Sequence, residues 1–215
     1  MDDIRILCYG DSNTWGAMPY TLRRYPGKVR WTGILREELG TGWEVIEEGY
    51  NSRTTVFDDL AEGRLSGLTY FGPCCVSQSP LDLLILMLGT NDTKERFSVS
   101  PECIVQGLRR VVEKAANAGC WRGGKSNILI VTPQNIGREY AKTACAATMG
   151  RGCAEKSEQL APLYQALAEE MGCHYLDANR VVKDGPNHVD YMHLTETGHA
   201  QLAEALAELV PQLVK

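Results

Sequence analysis

Between Leu81 and Leu88 the chain is apolar at every position except Asp82. Successive side chains of a β-strand point to opposite faces, so an unbroken apolar run leaves no face for water. Such a strand belongs inside a parallel sheet covered by helices on both sides. The remaining pattern agrees. Ile4 to Tyr9, Trp43 to Ile46, Asn127 to Val131 and His174 to Leu176 read as further strands. Helical spacing predicts helices over Arg30 to Leu39, Pro101 to Ala118 and Glu155 to Met171. A last helix after Thr195 carries Leu202, Leu206, Leu209 and Leu213 on one face. Ser100 before Pro101 is an N-cap followed by a first-turn proline. Strand and helix alternate, which implies an α/β sandwich with right-handed crossovers. Asp58 to Pro80 and Gln134 to Ala154 read as irregular, either pocket walls or ordinary surface loops.

Length and charge narrow the function. With 215 residues the chain suits one domain, 1–215, and no linker or repeat divides it. A net charge of −5 and the lack of a basic run argue against a nucleic-acid binder. The acidic start and the absence of a long apolar stretch predict no membrane span and a cytoplasmic location. The eight cysteines are scattered, with no CxxC pair and no metal-ligand spacing, so they read as structural thiols, Cys8 and Cys173 within strands.

Chemistry concentrates where strands end. Tyr9-Gly10-Asp11-Ser12-Asn13-Thr14 follows the first strand and exposes a serine above the sheet edge, in a place where a turn or capping serine is also common. A serine hydroxyl needs a base, and that base needs an orienting carboxylate. His193, with Asp190 three residues before it, offers both. His188 is a competing base, while His174 and His199 read as structural or surface residues. Gly89-Thr90-Asn91-Asp92 follows the most buried strand, where the Asn91 amide suits an oxyanion donor. Glu48-Gly49-Tyr50-Asn51-Ser52-Arg53-Thr54-Thr55 follows the second strand, and its backbone N–H groups suit a further donor.

In this order the four segments resemble the blocks of the GDSL or SGNH hydrolases, from Ile4 to the last helix. The resemblance implies a three-layer α/β/α sandwich on a flavodoxin-like parallel five-stranded sheet. It implies Ser12 as nucleophile, His193 as base, Asp190 as its orienting carboxylate, and an oxyanion hole from Ser12, Ser52 and Asn91. No metal or cofactor is implied. Two positions depart from the family pattern. Asn13 stands where leucine is usual, and is expected to alter local packing without touching the nucleophile. Ser52 stands where glycine is usual, which leaves Gly49 as an alternative donor. Gly-Asp-Ser-x-Thr-Trp-Gly, Arg30-Trp31-Thr32-Gly33, Glu47-Glu48-Gly49 and Met87 to Lys94 are similar to bacterial arylesterase and acyltransferase members. Some of these form homo-oligomers with a narrow hydrophobic channel to the serine. That implies short acyl groups, acyl transfer to alcohols alongside hydrolysis, and Asp11 and Trp15 as pocket residues, although Trp15 reads equally well as a tryptophan packed in the core.

The expected partner is therefore a small-molecule ester. A deacetylase of acetylated sugars fits the same triad. A nucleotide- or phosphate-binding module fits poorly. The segment Gly10 to Gly16 lacks both the GxGxxG and the GxxxxGK[ST] patterns and sets Asp11 where phosphate would approach.

Overall fold

The computed structural model describes residues 2–19, 21 and 23–214. Five strands form one sheet: β1 (Ile4–Gly10), β2 (Trp43–Gly49), β3 (Leu83–Met87), β4 (Ile128–Thr132) and β5 (His174–Asp177). All pairings are parallel and the order is β2-β1-β3-β4-β5. The helices are α1 (Ser12–Trp15), α2 (Trp31–Leu39), α3 (Gly67–Ser77), α4 (Pro101–Ala116), α5 (Ala146–Met149), α6 (Cys153–Ser157), α7 (Leu160–Met171), α8 (Ala178–Val181) and α9 (Glu196–Leu213).

The apolar run of β3 divides between two cores. Leu84, Leu86 and Leu88 join Leu7 and Tyr9 of β1 under α3, α4 and α7. Leu83, Ile85 and Met87 join Ile6 and Cys8 beneath α2 and α9. The result is the expected three-layer α/β/α sandwich. Each strand contributes alternate residues to alternate layers, so neither face of the central strands meets water.

Five local expectations are corrected. Gln134 to Ala154, read as irregular, holds α5 and the start of α6. Asp58 to Pro80 is not wholly irregular, because α3 lies within it. Gly67, Gly72 and Pro73 disguise that helix, whereas buried Phe71, Cys74 and Cys75 anchor it and the Ser66 side chain caps Thr69 N. The helix read over Glu155 to Met171 is two pieces. Ser157 Oγ bonds Ala154 O and receives Ile136 N, which diverts it from a regular helical turn, and Pro162 then sits in the first turn of α7. The strand read over Leu81 to Leu88 is β3 at its centre only. Leu81 instead forms an isolated bridge to Trp121. Cys173 likewise precedes β5 and lies outside it.

Pairing opposite Gly10 are Gly49 on one side and Met87 on the other. The carboxyl ends of three strands therefore finish level, and the chain turns out of each within a few residues. Glycine at two of these ends allows close approach. A Cβ on Gly10 would meet Thr14 Oγ1 at 2.1 Å and Met87 O at 2.7 Å. One on Gly49 would meet the backbone nitrogen of Trp15 at 2.0 Å. Strand β2 thus packs directly against the short helix that begins at Ser12. Because backbone yields poorly to such overlap, Gly49→Ala should cost about 1–3 kcal/mol, read as a lower midpoint of urea unfolding.

Candidate active site

Ser12 opens α1 two residues after β1 ends at Gly10. The side chain of Asp11 accepts from Asn13 N at 2.9 Å, and the backbone carbonyl of Asp11 receives Trp15 N. Asp11 is buried and its carboxyl is pushed up: burial outweighs the hydrogen bond from Asn13 N and the charges of His193 and Arg53.

The turn before α9 supplies the other partners. His193 Nε2 lies 2.9 Å from Ser12 Oγ, and His193 Nδ1 lies 2.8 Å from Asp190 Oδ2. The carboxylate contact places the imidazole proton on Nδ1 and leaves Nε2 to accept from the hydroxyl. Asp190 is itself held. Its Oδ1 receives Asn187 Nδ2 at 2.7 Å and the N–H groups of Met192 and His193, each at 3.0 Å. Burial pushes this carboxyl up, but His193, Asn187 and the backbone donors prevail, so it titrates well below the usual carboxylate range. Asn187 also donates to His193 O at 2.6 Å. Nothing in the motif pattern singled it out, although an asparagine three residues before Asp190 is a spacing at which a turn side chain reaches back. His188 is exposed and pairs edge-on with Tyr191.

A cavity of about 320 Å³ opens over this group. Ser12, Ser52, Asn91 and His193 share its wall, with Ala17, Ala144, Met149 and Met192 as apolar surface. Segment 134–154 therefore supplies part of the wall. Segment 58–80 acts from behind: Asp59 and Glu62 pair with the ammonium of Lys94, a buried residue of the same lining. Asn91 is fixed by Nδ2 bonds to Arg53 O at 3.2 Å and Asp11 Oδ2 at 3.5 Å. The next residue, Asp92, accepts from Thr55 N and Thr55 Oγ1, and burial raises it to about 6 against those bonds. Together these contacts tie the second and third blocks to each other.

The two alternatives at the second block differ in position. Ser52 faces the cavity with φ of 63°. That is the left-handed region, which explains why glycine suits this position and marks a departure carrying backbone strain. Gly49 is packed on Trp15 and is not among the described residues lining this cavity. Neither is Asp11 nor Trp15. Asp11 instead accepts from Asn13 N and Asn91 Nδ2, and the Trp15 ring lies under Arg24.

His199 connects the site to the scaffold. It is fully buried in α9, and its Nδ1 accepts from Trp31 N at 3.3 Å. Trp31 in turn donates through Nε1 to Asn13 O at 3.1 Å.

A serine, an imidazole and a carboxylate in this relay, above the carboxyl edge of a parallel sheet, have the geometry of a serine hydrolase. Residues 8–201 match the GDSL-like Lipase/Acylhydrolase family, and the chain belongs to it. The M. smegmatis aryl esterase is 37% identical, with a TM-score of 0.88 over 98% of this chain and 100% of that one. A carbohydrate acetylesterase from Sinorhizobium meliloti is 35% identical, with a TM-score of 0.87 over 98% and 100%. A putative arylesterase from Agrobacterium tumefaciens has the same identity, coverage and TM-score as the latter. No curated protein matches the chain. No helix among the described residues is long and apolar enough to cross a membrane.

Burial of His199 lowers its pKa from 6.5 to about 3, with the charges of His193 and Arg30 adding to the effect. The unfolded chain therefore binds this proton more readily than the folded one. Stability present above about pH 6.5 is lost as the pH falls toward about 3. Asp92 works in the opposite sense, losing its contribution as the pH rises through about 6. His199→Asn keeps an acceptor for Trp31 N but no titrating group. Its urea-unfolding stability, compared with wild type at each pH, should show a flatter fall across that window.

Proposed function

We propose that the protein is a serine esterase of short-chain acyl esters, working through an acyl-enzyme. The single observation that carries the residue roles is the continuous contact from Ser12 Oγ through His193 to Asp190. His193 Nε2 takes the hydroxyl proton as Oγ attacks the ester carbonyl. Asp190 holds the imidazolium that results. The oxyanion is received by the backbone N–H groups of Ser12 and Ser52 and by the Asn91 amide, which gives up its long 3.5 Å bond to Asp11 Oδ2 and keeps the one to Arg53 O. His193 then returns the proton to the leaving alcohol. Water, activated by the same imidazole, releases the acyl group. An alcohol in place of water gives acyl transfer, and the apolar wall of Ala17, Ala144, Met149 and Met192 favours such an acceptor over water.

A single domain over 1–215 carries this chemistry in the same reading. Its partner is a small-molecule ester rather than nucleic acid, in keeping with the net charge of −5. Cytoplasmic placement is supported by buried Cys8, Cys74, Cys75, Cys120 and Cys153, none of which is in a disulfide. Homo-oligomeric assembly belongs to the proposal too, and the exposed Leu60 and Leu65 offer apolar surface for it. Deacetylation of acetylated sugars is the second reading, favoured by the 35% identity to the S. meliloti carbohydrate acetylesterase. Rates on acetylated xylo-oligosaccharides against aryl acetates separate the two.

Ser12→Ala should abolish p-nitrophenyl acetate turnover and fluorophosphonate labelling, with circular dichroism unchanged. Near-normal turnover would refute the assignment. Asn91→Ala should lower kcat by about 10²–10³, the usual loss on removing an oxyanion donor. Ser52→Gly keeps the backbone N–H and relieves the left-handed strain, so its kcat should stay within about threefold of wild type, tested on the same ester.

A further inference from the structure

Asn13, the residue after the nucleophile, is 3% exposed. Its Nδ2 donates to Met192 O at 3.2 Å and its Oδ1 receives Leu194 N at 2.9 Å. One planar amide therefore bonds the peptide groups on both sides of His193. We propose that Asn13 is a positioning residue for the base, seating the His193 backbone on the helix that carries Ser12.

The other bonds of this turn do a different job. Asn187 to Asp190, Asn187 to His193 O, and Asp190 to the N–H groups of Met192 and His193 all lie within six positions of one another. They shape the turn internally without attaching it to α1. Among the hydrogen bonds of the described residues, those from 187–194 to α1 are made by Asn13 and by the Ser12–His193 contact itself. The last of these is the reacting contact, which breaks when the proton moves and the serine acylates. Asn13 is what holds the separation through that change. Its own backbone is held by Asp11 Oδ1 on N–H and by Trp31 Nε1 on the carbonyl, so the clamp has a rigid base. The paired donor and acceptor act as a neighbouring strand would, restraining φ and ψ of His193. A misplacement of about 1 Å in such a base can cost 10²-fold in rate. Leucine, usual at this place in the family pattern, fills the space but supplies neither bond.

The inference rests on Ser12 and His193 being the reacting pair, and the test separates the two claims. Fluorophosphonate labelling that is present in wild type and absent in Ser12→Ala establishes the pair independently of Asn13. With that control, Asn13→Asp is nearly isosteric. It keeps an acceptor for Leu194 N, yet opposes a carboxylate oxygen to Met192 O. On p-nitrophenyl acetate its kcat should fall about 10- to 10²-fold with KM within about twofold. The ratio of variant to wild-type kcat should rise as the pH falls, because a protonated carboxyl regains a donor toward Met192 O. Asn13→Leu should lose kcat to a similar degree with no pH dependence in its ratio. Urea midpoints of all variants are measured alongside. An Asn13→Asp ratio that is flat in pH, or kcat unchanged in both variants, overturns the proposal. Failure of both variants to fold also overturns it, since the contact would then serve the fold and not the base.

Discussion

The parallel pairing of β1 with both β2 and β3 is the constraint on which the rest of the molecule depends. It sets Gly10, Gly49 and Met87 level, so the turns carrying Ser12, Ser52 and Asn91 leave the sheet at one edge and within reach of one another. A one-residue slip in either register would send every side chain of that strand to the opposite layer. The division of Leu83, Ile85 and Met87 from Leu84, Leu86 and Leu88 between two cores resists such a slip. Hydrophobic burial, with no chemistry of its own, thus holds the position of the chemistry.

Charge is arranged upon that frame by hydrogen bonding. Asp11, Asp92 and Asp190 are all buried, and burial alone would raise each of them. Only for Asp190 do the surrounding donors outweigh it, because an imidazole, an amide and two backbone N–H groups converge on one carboxylate. Asp190 is therefore an anion well suited to orient a base. Asp11 and Asp92 are raised and serve instead as acceptors that knit the Ser12 turn to the Asn91 turn and to Thr55. The three aspartates differ in what donates to them, and Asp190 is also the least deeply enclosed of them.

Much of this was legible in the chain. Apolar periodicity located the five strands and helices α2, α4, α7 and α9, because burial on both faces leaves an unmistakable pattern at β3. Helix α3 was not legible. Proline and glycine dominate its local signal, and the packing of Phe71, Cys74 and Cys75 behind the Ser66 cap makes it helical. The break before α7 was hidden for the same kind of reason, since the Ser157 contact with Ile136 N joins residues distant in sequence. At the site, Ser12, Asp190, His193 and Asn91 stood out from their motifs. Asn187 and the clamp formed by Asn13 did not, because their partners are defined by geometry.

The amino-acid sequence by itself determined the layer architecture, the chain order of the four blocks and the residue types that the candidate site brings together. Those follow from residue types and periods that hold wherever the chain goes. Only the tertiary structure decided that Ser52 and not Gly49 faces the cavity, and that Asp11 and Trp15 stand outside its wall. It also decided that Asn13, read from sequence as a packing change, bonds across to both neighbours of His193. The physical reason is common to all three. Each depends on the direction of a side chain or backbone group relative to another segment, and direction exists only once the sheet register has set those segments side by side.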